Sequence, residues 1–148
     1  MSNIKILSQY IKDSSFELFG APEIFLEKHD KPDIALSINI DVKKLSDENY
    51  EIALKISADA KIKDQTFFNC SLIYAGLFSI QQVEGEMLDQ VLMIYCPNLL
   101  FPFLRRIITN TTSDAGLSPL MIDPIDFASL YARRKAAEKS EPISDTKN

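Results

Sequence analysis

The chain has 148 residues, 46% of them hydrophobic and 25% charged, enough for one domain to bury roughly two-thirds of its unfolded surface. Lys and Arg number 16 against 21 Asp and Glu, and the resulting charge of −5 argues against polyanionic partners such as nucleic acid or an anionic membrane surface. A single His and two Cys exclude a multi-histidine metal site within one chain, and no apolar run reaches the roughly 18 residues of a membrane helix.

The start, Met1 to Leu7, has too short an apolar stretch for a secretory signal and no small-residue cleavage site, so it reads as mature cytoplasmic sequence. The segment from Ile4 to Phe19, rich in Ile, Tyr and Phe, reads as a first strand. Three segments then alternate with period two, the mark of half-buried strands. Ile34, Leu36, Ile38, Ile40 and Val42 form one apolar row, and Tyr50, Ile52, Leu54, Ile56, Ala58, Ala60 and Ile62 a second. Phe68, Cys70, Leu72, Tyr74, Gly76, Phe78 and Ile80 form the third. Phe67 and Phe68 are adjacent, so on a regular strand they face opposite sides, and one of them belongs to a second interface or a groove. Residues 46–49 and 63–65 are polar enough and short enough to close hairpins.

After Ile80 the period changes. Leu88, Val91, Leu92 and Tyr95 fall at i, i+3, i+4 and i+7, one face of a helix, with a break or kink expected at Pro97 and Pro102. Asp123 as N-cap, Pro124 in the first turn and Asp126 start a last helix that turns Phe127, Leu130 and Tyr131 inward. Strands first and helices after predict an α+β domain, with an antiparallel meander and helices on one face. Residues 1–100 carry a net −6, 101–131 a net −1 and 132–148 a net +2, so the negative charge belongs to the strands. The tail after Tyr131 has one large apolar residue, Ile143, too little to offset its ordering entropy, and is expected to fray into disorder beyond a helical start.

The chemistry of catalysis is sparse. No GxGxxG, GxxxxGK[ST] or GxSxG is present. His29 lies in a charged turn, Glu27 to Pro32, and reads as a surface residue; Asp123 and Asp126 are explained by helix-start duty. Cys70 and Cys96 fit no CxxC pattern and read as small buried apolar residues. By residue type alone, Asp13 and Glu17 are solvated charges on an edge, and the aromatics, Phe101 and Phe103 among them, are mostly core.

Longer strings say more. Tyr10-Ile11-Lys12-Asp13-Ser14-Ser15-Phe16-Glu17, the run Cys96-Pro97-Asn98-Leu99-Leu100-Phe101-Pro102-Phe103 followed by Arg105, and Pro119-Leu120 with Pro124-Ile125-Asp126-Phe127 and Leu130-Tyr131 together resemble SecB, a bacterial protein-export chaperone family. Gly76 with Phe78-Ser79-Ile80 and Glu84-Gly85 resembles the same family between its last strand and first helix, and the likeness runs from Ile4 to Tyr131. It implies a four-stranded antiparallel sheet followed by two helices in one domain, residues 1–131, with a charged extension over 132–148. It implies no catalytic residues, no cofactor and no metal of its own.

The implied function is an ATP-independent cytoplasmic chaperone that binds unfolded preproteins, keeps them translocation-competent and passes them to the SecA motor. The implied partners are those preproteins, the zinc-binding C-terminal tail of SecA, and self in a homotetramer built as a dimer of dimers, with neither nucleic acid nor membrane insertion. Asp13 and Glu17 match the family's SecA-docking acids, whereas Asn69 and Ser71 depart from the apolar and acidic residues often found beside the cysteine. For the client groove the expected residues are Ile34, Leu36, Ile38, Phe68, Phe101 and Phe103. The alternative within this fold is a chaperone dedicated to one client such as an antitoxin. A hot-dog thioesterase of similar size would instead wrap its sheet around an early long helix.

Overall fold

Alternation and β-branched content place Asn3–Leu18 (β1), Asp33–Lys44 (β2), Asn49–Ile62 (β3) and Gln65–Gln81 (β4) in strands. The computed structural model describes residues 3–140, and the far end of the chain, where disorder is expected, lies outside them. The strands form one antiparallel sheet in the order β1-β4-β3-β2. Hairpins join β2 to β3 and β3 to β4, so these three are the meander; β1 adds beside β4 through the connection over residues 19–32, leaving β1 and β2 as the two edges. The β3–β4 turn has positive φ at both central residues, Lys63 (50°) and Asp64 (66°), the backbone twist that a two-residue hairpin favours.

Alternation is broken at three places, two of them in β1, at Leu7 and Lys12, and the third in β4. A register shift between Ala60 and Lys61 admits Phe67 as an extra residue on β4. Phe67 and Phe68 are therefore both buried, with ring centroids 5.7 Å apart, on one side of the sheet. The expectation that adjacent residues must face opposite sides is corrected by that bulge.

The helical half is Gly85–Gln90 (α1), a π-helical turn at Val91–Tyr95, Cys96–Asp114 (α2) and Phe127–Ser140 (α3). The first three run on as one 30-residue helix. The expected break does not occur: the π turn, in which the Cys96 N–H donates to the Val91 carbonyl, lies directly ahead of Pro97 and absorbs the disruption. It also rotates the helical face, so Leu92 is buried while Tyr95, expected on the same stripe, is 48% exposed. Although no uninterrupted apolar run is that long, this helix reaches the length and mean hydropathy of a membrane span; Leu100, Leu104 and Ile108 pack its apolar face on the sheet instead. α3 starts later than expected. Asp126, not Asp123, caps it, accepting from the Ser129 N–H (3.0 Å) and hydroxyl (2.7 Å). The helix continues across the expected boundary at Tyr131.

The core lies between the sheet and α2. Ile52, Leu54 and Ile56 of β3 and Leu72 and Phe78 of β4 meet Leu100, Leu104 and Ile108, with Phe127 of α3 edge-on to Phe101 at 6.0 Å. Close approach depends on Gly76: a Cβ there would lie 2.9 Å from Leu100 Cδ2 and 2.7 Å from Phe78 Cε1, both side chains fully buried. The residue's lack of a side chain sets the spacing between β4 and α2. Gly76→Ala is expected to cost about 1–3 kcal/mol through overpacking, read as a lower urea midpoint at fixed protein concentration with unchanged slope.

Candidate functional site

Above β2, where α2 gives out, the helix-side face of the sheet is left open. A cavity of about 650 Å³ forms there, walled by Ile34 of β2, Phe67 and Phe68 of β4, Ile24, Phe25 and Pro32 of the β1–β2 connection, and the α2–α3 loop from Gly116 to Met121. Ile34 pairs with Ala60, Leu36 with Ala58 and Ile38 with Ile56, so the three share the face that the helices cover farther along. Ile34 is 36% and Leu36 46% exposed, because the small Ala60 and Ala58 give them nothing tall to pack against. Ile38 leads into a smaller recess, about 70 Å³, with Ile40, Met93 and Leu130. An apolar strip thus runs along the β2 edge from the cavity to this recess.

The six residues expected in a groove are not brought together. Ile34 and Phe68 line the cavity, Leu36 and Ile38 continue the strip, but Phe101 is buried in the core. Phe103 is 40% exposed and stacks on Tyr74 at 6.1 Å, outside the cavity walls. The cavity takes its aromatic character from Phe25, Phe67 and Phe68. The signal that was there to read is the run Ile24-Phe25-Leu26, apolar residues in a connection where a polar turn is the norm. His29 is exposed, as expected, yet it rims the cavity with its ring 5.4 Å from that of Phe67.

The opposite face of the sheet is mixed, with charged and polar residues around Ile73, Ala75 and Leu77. Asp13 and Glu17 are exposed there, in register with Ile73 and Asn69 of β4. The Asn69 amide, oriented to suit its neighbours, donates to Asp59 Oδ1 at 2.8 Å. Among the described residues neither Asp13 nor Glu17 is in an ion pair. The nearest cation in sequence, Lys12, is taken by Glu51 at 2.7 Å, and the Tyr10 hydroxyl donates to the other Glu51 oxygen at 2.6 Å. Lys12, and then Tyr10, hold the Glu51 carboxyl below the usual range; burial and the same carboxylate push Tyr10 up to about 12. Cys70 and Cys96 are buried free thiols, and burial pushes Cys96 up to about 12. Among the described residues no group of three His, Cys, Asp or Glu could hold a metal ion.

The sequence and the fold are shared with known proteins. The family described as "Preprotein translocase subunit SecB" matches residues 1–138. The protein-export protein SecB of Parvibaculum lavamentivorans is 46% identical over 131 residues, 88% of this chain and 78% of that protein. That of Bartonella quintana is 41% identical, covering 90% of this chain and 85% of the relative, and that of Rickettsia typhi 41%, covering 95% and 93%. Among solved structures, a Mycobacterium tuberculosis SecB-like chaperone bound to an antitoxin peptide shares the fold with a TM-score of 0.66 at 14% identity, covering 82% of this chain and 90% of its own. With the family spanning nearly the whole chain and the sheet-then-helix fold in common, the chain belongs to the SecB family of protein-export chaperones.

Proposed function

We propose that this chain is an ATP-independent cytoplasmic chaperone that binds unfolded preproteins, keeps them competent for translocation and hands them to SecA. A chaperone family is not an enzyme class, and we read the chain as non-catalytic. The observation that carries the proposal is the apolar cavity continued by exposed Ile34 and Leu36 along the β2 edge. Apolar surface of this kind binds by area removed from water, which every unfolded chain can supply, so it suits many clients. A chaperone dedicated to one antitoxin is not favoured, because the relatives of high identity carry the protein-export name and the antitoxin-bound protein shares only the fold.

The opposite face suits a different partner. Asp13 and Glu17, unpaired by cations, leave negative charge free to meet the basic, zinc-binding tail of SecA. Asn69 and Ser71 contribute no charge to this face, so its acids nearest the β1 edge are Asp13 and Glu17, with Asp59 of β3 paired to Asn69. Self-association into a dimer of dimers accounts for a third set of residues: Ile6, Leu7 and Ile11 on the β1 edge and Met87 and Tyr95 on the long helix are all 42% exposed or more.

Native mass measurement of the full chain with and without an unfolded preprotein is expected to show a tetramer that gains one client without nucleotide; a monomer that binds nothing would overturn the proposal. Ile34→Asp with Leu36→Asp places charge where a client's apolar side chains would sit. That pair is expected to weaken preprotein binding about tenfold or more while the tetramer persists. Asp13→Ala with Glu17→Ala is expected to weaken SecA binding about tenfold, with a shallower salt dependence, and to leave client affinity unchanged. Equal loss of both activities would mean that the two acids act through folding.

A further inference from the structure

Apart from tyrosines and cysteines, Thr112 is the one polar side chain buried among the described residues, at 0% exposure. It stands near the end of α2, where apolar side chains would fill the space without leaving a hydroxyl to satisfy. Its Oγ1 reaches back to the Ile108 and Thr109 carbonyls at 3.1 and 3.0 Å, the usual way a helical threonine places its hydrogen. The lone pair left over accepts from the Leu120 N–H at 2.9 Å, eight residues on. One turn earlier, the Thr109 hydroxyl lies 2.8 Å from the Leu120 carbonyl and 2.9 Å from that of Arg105, so its hydrogen serves either. Both backbone groups of one loop residue are thus met by two threonine side chains of α2.

Leu120 lies in the wall of the cavity. The loop leaves α2 through Gly116, whose φ of 83° permits the left-handed step that ends a helix. After the Ala115 and Gly116 N–H groups donate to the Thr111 and Ser113 carbonyls, the Leu117 N–H donates to the Thr112 carbonyl at 3.1 Å. Thr112 therefore holds the loop at two points, 117 through its backbone and 120 through its side chain. Between them the wall spans residues with no other hydrogen bond to α2 among those described. Gly116 rests against the Phe25 ring from the other wall, where a Cβ would lie 3.2 Å from Phe25 Cε1. If residue 120 is released from Thr112, the wall facing Ile34 keeps the apolar packing of Leu117 and Ile122 but loses the hydrogen bond that fixes the Leu120 N–H on α2.

We propose that Thr112, assisted by Thr109, is a positioning residue that clips Leu120 to α2 and so holds the α2–α3 loop as a fixed wall of the apolar cavity, lengthening the time a bound apolar segment stays in place. The proposal rests on the reading of that cavity as the client site. The clip acts on dissociation because a wall that opens releases what it covers without altering the encounter. Loss of one buried hydrogen bond to a backbone N–H corresponds to roughly a tenfold change in opening.

Two variants of the full-length protein separate this role from a merely structural one. Thr112→Val keeps the shape and the backbone carbonyl but removes the hydroxyl; Thr112→Ser keeps the hydroxyl and loses a buried methyl. Amide hydrogen exchange is expected to rise about tenfold at Leu120 in Thr112→Val, with Leu117 still protected through the retained carbonyl, and to return to wild-type values in Thr112→Ser. A fluorescently labelled unstructured peptide rich in aromatic and aliphatic residues is the binding probe. Its dissociation rate is expected to rise about tenfold in Thr112→Val and to recover in Thr112→Ser, although both variants lose stability to urea. Unchanged dissociation from Thr112→Val, or equal acceleration in both variants, would overturn the clip while leaving the cavity reading intact. Failure of the wild-type chain to hold the peptide, or a peptide indifferent to Ile34→Asp, would overturn the cavity reading and the clip with it.

Discussion

A single helix cannot cover four strands, and most of what is distinctive here follows from that. α2 packs on β4 and β3, the two central strands, where Gly76 lets Leu100 come close to the sheet. About 10 Å is the reach of one packed helix, and strands are spaced at about 4.8 Å, so the two edge strands are left at its margins. The helix side of β2 keeps its alternating Ile and Leu residues because the sheet needs them to pair in register, yet no helix arrives to bury the first two. Ordinary strand chemistry on an uncovered edge produces an exposed apolar strip without any specialised motif.

The sheet's two faces then differ in chemistry. On the helix side, apolar area is concentrated by the bulge at Phe67, which brings two aromatic rings onto one face and gives the cavity its floor. On the other side, the long cross-strand bond from Tyr10 to Glu51 passes over the fully buried Ala75, which pairs with Tyr10 on one side and Ala53 on the other. Small residues in that row allow a bridge between β1 and β3, and the bridge consumes Lys12. The consequence is electrostatic. The basic residue adjacent to Asp13 is spent within the sheet, so the acid beside it is exposed and in no ion pair among the described residues.

Strand number, order of elements and the apolar faces were legible because alternation reports directly on which side of a sheet is dry. Family strings such as that around Pro97 were legible too. The cavity was not, for three physical reasons. A β-bulge leaves no mark on the alternation of apolar residues when both of its neighbours are aromatic, so Phe67 and Phe68 could not be placed from spacing alone. The π turn before Pro97 shifts the helical face, which moved Tyr95 outward. And the cavity walls come from loops, residues 24–32 and 116–121, whose positions depend on tertiary hydrogen bonds such as Thr112 to Leu120 rather than on any period. Phe101 and Phe103 illustrate the cost: both sit in the most specific string of the chain, and one is core while the other stacks on Tyr74.

On the proposed reading of the cavity as a client site, its scale bears on how a small chain would hold a large client. A volume of about 650 Å³ admits a few side chains of an extended segment and no more. A single such site yields modest affinity, because association costs must be met before buried area counts. A preprotein, however, offers many apolar segments on one flexible chain. When several copies of the site stand on one assembly, the second and later contacts form at an effective concentration set by the linker between segments, and each raises the overall affinity without new chemistry. The same logic favours weak, short-lived individual contacts, since a client must leave as an unfolded chain. A wall whose residue 120 is clipped by threonine hydroxyls is suited to that range, because a few hydrogen bonds tune a lifetime without locking the segment in place.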